Sequence, residues 1–255
     1  MKPMNRRRFL RLVVASIISA TLAACQRARP ETSEEPGVTL AVPTGALAGT
    51  PTQIAEKILM SLNRPRYNVR FLGRTPALDH AAWRLQIEGV QQGPTSLSFA
   101  EMVETLAVTR QNSRMVCVEG WSFRADWEGF TLQALLDIVQ PLPQAKYLRF
   151  EAVDGYYEVL SIEELLADRV LFAYKMDGEY LSDEHGWPLR LIMPDRYGYK
   201  GAKSITKLIF TDKGGKGYWS TVGPYTVTGA IEPGIDRPQD MPGERRQTVE
   251  GEQPY

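Results

Sequence analysis

Cysteine and histidine are scarce in this 255-residue chain, with two of each. So few cysteines exclude a disulfide-stapled scaffold. No C-x-x-C and no C-x-x-C-H occurs, and His80 and His185 form no His-rich cluster, which removes zinc-finger and covalent haem schemes. A G-x-S-x-G elbow is also absent, so the pattern of a serine hydrolase is missing. Lys+Arg and Asp+Glu both number 30, and a net charge of zero gives no electrostatic reason for a nucleic-acid partner. No internal repeat or heptad pattern is present. The apolar stretch from Leu12 to Ala24 is short for a membrane span and is diluted by Ser16, Ser19 and Thr21.

What is present divides the chain into four parts. Asn5-Arg6-Arg7-Arg8-Phe9-Leu10 resembles a twin-arginine export motif, and Leu22-Ala23-Ala24-Cys25 resembles a lipobox. Residues 1–24 are therefore expected to be a signal peptide and Cys25 the lipidated start of an exported bacterial protein, at the periplasmic or extracytoplasmic face of a membrane. An uncleaved amphipathic anchor is the alternative reading. Residues 26–60 read as a tether rich in Pro, Glu, Thr and Gly, residues 61–235 as one folded domain, and residues 236–255 as a polar surface tail.

Within the domain, Trp83 to Val90 alternates apolar and polar with period two, which predicts a half-buried strand. Ser98 followed by Glu101 has the spacing of a capping box and opens a helix through Met102, Val103 and Leu106. A second strand is expected at 114–119 and a helix at 131–139. Further strands are expected at 146–152, 156–160, 170–174, 189–193 and 207–211. Strands outnumber helices and connections are short, so the class is α+β with a mixed β-sheet and short helices.

If the lipobox takes Cys25, Cys117 is left unpaired in an oxidising compartment. Taken alone it is either a small buried hydrophobe or a soft metal ligand, and one thiolate suffices only if a cofactor supplies the others. Glu119, two residues on, is placed by strand periodicity on the same face, either toward such a site or in a rim salt bridge. Trp121 either walls a pocket or fills the core.

Several blocks then occur in succession: Met115-Val116-Cys117-Val118-Glu119-Gly120-Trp121-Ser122, Phe150-Glu151-Ala152-Val153-Asp154-Gly155-Tyr156, His185-Gly186-Trp187-Pro188-Leu189-Arg190, and Tyr197-Gly198-Tyr199-Lys200-Gly201-Ala202-Lys203-Ser204. Together they resemble the sulfite oxidase fold family of molybdopterin enzymes, with the first block closest to its periplasmic protein-methionine-sulfoxide reductase branch. The resemblance implies Mo-molybdopterin as cofactor, Cys117 as protein ligand to the metal, and Cys117, Glu119 and Trp121 at the reacting centre. It places Asn68, Phe71, Ala152, His185, Arg190, Gly201, Ala202 and Lys203 at the cofactor. Arg190 and Lys203 would grip the phosphate, with Gly201 and Ala202 letting main-chain N–H groups approach it.

Departures from the family shape the expected reaction. Ala152 stands where the reductase branch has a threonine, and much of that branch's insertion after the first strand pair is missing. The arginine-rich segment that follows the cysteine in sulfite oxidases is absent, as are their haem and dimerisation domains. The expectation is oxygen-atom transfer, the reduction of an S-oxide or N-oxide that is small or protein-bound. Electrons would come from a membrane haem protein or a quinol-linked donor, beside which a lipid anchor would hold the enzyme. A sulfite-oxidising enzyme and a cofactor-free binding protein that keeps the fold are the alternatives.

Overall fold

A computed structural model of the chain describes residues 70–73, 78–241, 243 and 245–248. The expected export signal with Arg6 and Arg7, Cys25, the tether and Asn68 lie outside the described residues. Among the described residues no helix is long and apolar enough to cross a membrane.

The first sheet grows from the alternation seen in the sequence. In strand β1 (Arg84–Glu88), Leu85 and Ile87 point inward and are fully buried. It pairs antiparallel with β2 (Thr95–Ser98). Ser98 then caps α1 (Phe99–Thr105) with the expected reciprocal box: the Glu101 amide donates to Ser98 Oγ at 3.2 Å and the Ser98 amide to Glu101 Oε2 at 2.7 Å.

Strand β3 (Thr109–Cys117) starts five residues before the expectation and ends at Cys117 rather than at Glu119. Residues 118–120 turn the chain into β4 (Trp121–Phe130), a strand the sequence reading did not include. The two form a hairpin paired without slip from Thr109↔Gly129 to Cys117↔Trp121. Helix α2 (Leu132–Leu136) is shorter than expected, and β5 (Tyr147–Ala152), β6 (Tyr157–Ser161), α3 (Ile162–Leu165) and β7 (Leu171–Met176) follow. Next come β8 (Glu179–Tyr180), β9 (Arg190–Ile192), β10 (Ile205–Thr211), α4 (Tyr218–Val222), β11 (Gly234–Pro238) and β12 (Arg246–Thr248).

Five strands form one sheet in the order β2-β1-β10-β5-β6, with β1 and β10 parallel. The other sheet runs β12-β11-β4-β7-β8, with β3 added on β4 and β9 on β7. Both sheets contribute to one buried apolar cluster, including Leu85, Phe130, Phe150, Phe172 and Leu208. The class is α+β with mixed sheets, as the strand-rich sequence implied.

The segment expected as a polar tail begins differently. Residues 234–238 form β11, parallel to β4 at Arg237↔Trp121, so the expected boundary at 235 runs through a strand. Polarity there serves buried partners. Asp236 is buried, and Asp240 accepts from the buried Arg114 guanidinium at 3.0 and 3.3 Å.

Candidate molybdopterin site

A cavity of about 270 Å³ opens where the β3–β4 turn meets the loops around β9 and α4. Cys117 reaches it because β3 stops there, and Gly120 closes the turn at φ 81°, its amide donating to the Cys117 carbonyl at 3.0 Å. Burial pushes the Cys117 thiol up to about 11. Among the described residues no three His, Cys, Asp or Glu side chains converge as a metal site. A metal at this sulfur would need its remaining ligands from outside the protein, and its charge would deprotonate the thiol.

Glu119 lies beside the thiol, in the turn rather than on the strand. Its Oε1 accepts from Arg70 at 2.9 Å, and its Oε2 accepts from Trp121 Nε1 at 3.1 Å and lies 3.8 Å from Cys117 Sγ. The Arg70 hydrogen bond, then that of Trp121, lowers the carboxyl below its usual range. Glu119 is thus both a rim ion pair and a neighbour of the thiol. Trp121 likewise does two things: it lines the cavity and stacks on Phe123 at 6.2 Å.

The opposite side of the cavity carries two cations. Arg190, on β9, is 4% exposed, its Nη1 donates to the His185 carbonyl at 2.9 Å, and its guanidinium lies over the Trp127 ring at 5.2 Å. Arg190 Nε has no hydrogen-bond partner, and burial alone lowers the guanidinium to about 10. Lys203 sits 3.6 Å above the Phe71 ring, and burial, reinforced by Arg190, lowers its ammonium to about 7. Neither cation is in an ion pair with a carboxylate among the described residues. A buried and a half-buried positive group with no carboxylate paired to either are costly, and a phosphate ester is the anion that a planar fork and a point charge accept together. The residues present therefore fit a pterin phosphate.

Of the expected site residues, Phe71, Cys117, Glu119, Trp121, His185, Arg190, Gly201 and Lys203 are brought together around this cavity. His185 is oriented by Ser182 Oγ, 2.8 Å from its Nδ1. Two of the expected residues, Ala202 and Ala152, do not line the cavity. Ala202 is 1% exposed and its side chain belongs to the core, and the Gly201 amide donates to the Gly198 carbonyl at 3.1 Å. Ala152 also packs in the core at the end of β5, away from the cavity lining.

The sequence reading missed an aromatic wall. Tyr156, Tyr199, Trp219 and Tyr225 line the cavity, with Tyr199 and Trp219 rings 5.1 and 5.8 Å from that of Tyr225. The aromatic density of Tyr218-Trp219 and of Tyr197-Gly198-Tyr199 was the available signal.

Comparisons with known proteins agree with this geometry. The chain is 29% identical over 174 residues to the protein-methionine-sulfoxide reductase catalytic subunit MsrP of Ralstonia nicotianae, covering 62% of this chain and 53% of that protein. It thus spans about half the length of that relative. The crystal structure of the sulfane dehydrogenase SoxCD from Paracoccus pantotrophus shares the fold, with a TM-score of 0.52 at 19% identity over 75% of this chain and 59% of that one. A model of the oxidoreductase molybdopterin binding domain matches residues 72–219, more than half of the chain and nearly all of the cavity's lining, and the chain belongs to that family of molybdopterin-binding oxidoreductases.

Proposed function

We propose that this chain reduces an S-oxide or N-oxide by oxygen-atom transfer, using a Mo-molybdopterin cofactor whose metal is ligated by Cys117. One observation carries the reading: a half-buried thiol, the buried Arg190 guanidinium and the half-buried Lys203 ammonium, neither cation ion-paired to a carboxylate among the described residues, share one cavity. When bound, the cofactor supplies a two-electron metal centre able to accept an oxygen atom. Cys117 provides a thiolate and sets the metal's position at the rigid end of the hairpin. Arg190 and Lys203 fix the phosphate, and His185, tied to Arg190 through its carbonyl, walls the same side. Glu119, held ionised by Arg70 and Trp121, places a fixed negative charge at the mouth. The aromatic wall excludes water and takes the carbon substituents flanking the S–O or N–O bond.

Oxidation of sulfite is the weaker reading. An anionic substrate needs a free cation at the mouth, and Arg70, the guanidinium there, is bound to Glu119 at 2.9 Å. A cofactor-free binding protein leaves the Arg190 and Lys203 cations, neither ion-paired among the described residues, unexplained. Electrons would come from a membrane haem protein or quinol-linked donor, and a lipid on Cys25 would hold the domain near it. The relation to MsrP, a protein-methionine-sulfoxide reductase catalytic subunit, supports an oxide substrate.

The test is Cys117→Ser in protein purified from a host that makes the cofactor. Serine is nearly isosteric, but its oxygen is harder and far less acidic, so charge donation to molybdenum is lost. Reduction of sulfoxides and N-oxides with an artificial donor should disappear and the Mo(V) paramagnetic signal should change. A variant with the wild-type rate and spectrum would refute the assignment of Cys117.

A further inference from the structure

Among the described residues, the most deeply buried ion pair lies outside the chemistry described above. Lys200 Nζ is 2.8 Å from Glu158 Oε1, with side chains 0% and 2% exposed. An apolar pair of the same volume would fill such a space at no greater cost. What the ions add is direction, and their surroundings show where it acts.

Four segments meet on the pair. Glu158 comes from β6, and its Oε1 accepts the Val159 amide at 2.9 Å. Lys200 ends the short 3-10 helix Gly198–Lys200, which bears Tyr199. Gly217, the N-cap of α4, packs so closely that a methyl group there would collide with the Glu158 carboxylate. Gly229, at φ +65°, packs likewise against the Lys200 side chain. Its carbonyl accepts the Tyr197 amide at 2.8 Å, and its amide donates to Thr226 Oγ1 at 3.1 Å. The Thr226 carbonyl accepts from Tyr199 Oη and Ser220 Oγ, both at 2.8 Å. Tyr156 Oη closes the network, donating to the Tyr199 carbonyl at 2.6 Å and standing 3.2 Å from Glu158 Oε2. These segments carry Tyr156, Tyr199, Trp219 and Tyr225, which are the aromatic wall.

We infer that Glu158 and Lys200 are positioning residues that lock the aromatic wall, setting how tightly the oxide substrate is held while leaving the phosphate grip of Arg190 and Lys203 to other elements. The inference rests on the proposed function only for the word substrate; the locking stands on the contacts. It requires that the 197–201, 217–223 and 226–230 segments open together.

Native-state hydrogen exchange on the cofactor-loaded full chain tests that directly. The hydrogen-bonded amides of Tyr197, Lys200, Gly201, Thr221, Gly223 and Gly229 should exchange through one shared opening with one denaturant dependence. In a Glu158→Gln, Lys200→Met double variant, which removes both charges at similar volume, their exchange should quicken by about tenfold or more. Protection in β4 and molybdenum content should stay at wild-type levels. With methyl p-tolyl sulfoxide as substrate, KM should rise about tenfold with kcat little changed, the signature of lost uniform binding. Separate openings in the wild type overturn the inference, whether or not the variant folds. So does a folded variant with unchanged exchange, or one in which β4 protection and molybdenum content fall in step with the wall. If the wild-type enzyme reduces no sulfoxide or N-oxide, the functional reading fails while the exchange data still decide the positioning role.

Discussion

Lys203→Met should stabilise the protein made without cofactor and weaken the protein that holds it. The ammonium falls from an ordinary 10.5 to about 7, chiefly through burial and secondly through Arg190, with Asp154 opposing. At 1.36 kcal/mol per pH unit this corresponds to about 5 kcal/mol. The cation–π contact with Phe71 and residual hydration offset part of it, leaving about 2–3 kcal/mol to be gained by methionine. The sign follows from proton binding. Between pH 7 and 10.5 the unfolded chain binds more protons than the folded one, so wild-type stability falls as the pH drops through this window. The variant escapes that loss. Its advantage should be near zero around pH 10, grow on acidification, and level off below about pH 7. Urea unfolding of both proteins, from a host unable to make the cofactor, at pH 6 to 9.5 measures the difference. A variant that is less stable at pH 7, or a difference independent of pH, would show that Lys203 is hydrated. In cofactor-loaded protein the phosphate supplies the missing counter-charge, and the order of stability should reverse.

Arg190→Ala should lower molybdenum occupancy by about tenfold or more, because a buried phosphate loses its planar donor; metal analysis against protein concentration decides it, and full occupancy would leave the guanidinium a merely structural role over Trp127. Asp240→Ala should cost about 2–4 kcal/mol by stranding the buried Arg114 guanidinium, seen as a lower urea midpoint; an unchanged midpoint would mean that 239–241 only lies on the surface. Arg6 and Arg7 replaced together by Lys should hold the protein in the cytoplasm, and Cys25→Ser should prevent lipid labelling, both read by cell fractionation; export and labelling at wild-type levels would remove the proposed address and anchor.

Where a signal is local, the sequence carried it. The period-two run at β1 and the Ser98–Glu101 capping box each need only a few neighbouring residues to be read. The blocks around Cys117 and Arg190 were legible through their order along the chain. What escaped depends on distant partners. Strand β4 hides its alternation because Ser122 is buried among its apolar positions, tolerated since Arg114 Nη1 donates to its hydroxyl at 3.0 Å. Residues 236–240 looked like tail because Asp240 meets Arg114 across 126 positions. The aromatic wall joins Tyr156 to Tyr199 across 43 positions. Ala152 and Ala202 were illegible for the opposite reason: a small side chain does not declare whether it faces a cavity or a core, and both pack in the core.

The β3–β4 hairpin ties the two ends of the site together. Its nine paired residues from Thr109 to Cys117 make the thiol's position a property of the strand, not of a loop. Met115 precedes Cys117 by two residues and so shares its face. Its Sδ lies 3.2 Å from Arg190 Nη2, while the same guanidinium rests on Trp127, whose indole donates to the Ser113 carbonyl at 3.2 Å. The cation proposed for the phosphate thus leans on the strand that carries the proposed metal ligand. Lys203 leans elsewhere, on Phe71. Losing Arg190 should therefore disturb thiol geometry as well as phosphate affinity, whereas losing Lys203 should disturb affinity alone. Residual enzyme from Arg190→Ala should show an altered Mo(V) spectrum per bound metal, and Lys203→Met should not; identical spectra in both would mean that the hairpin holds Cys117 without help from the arginine.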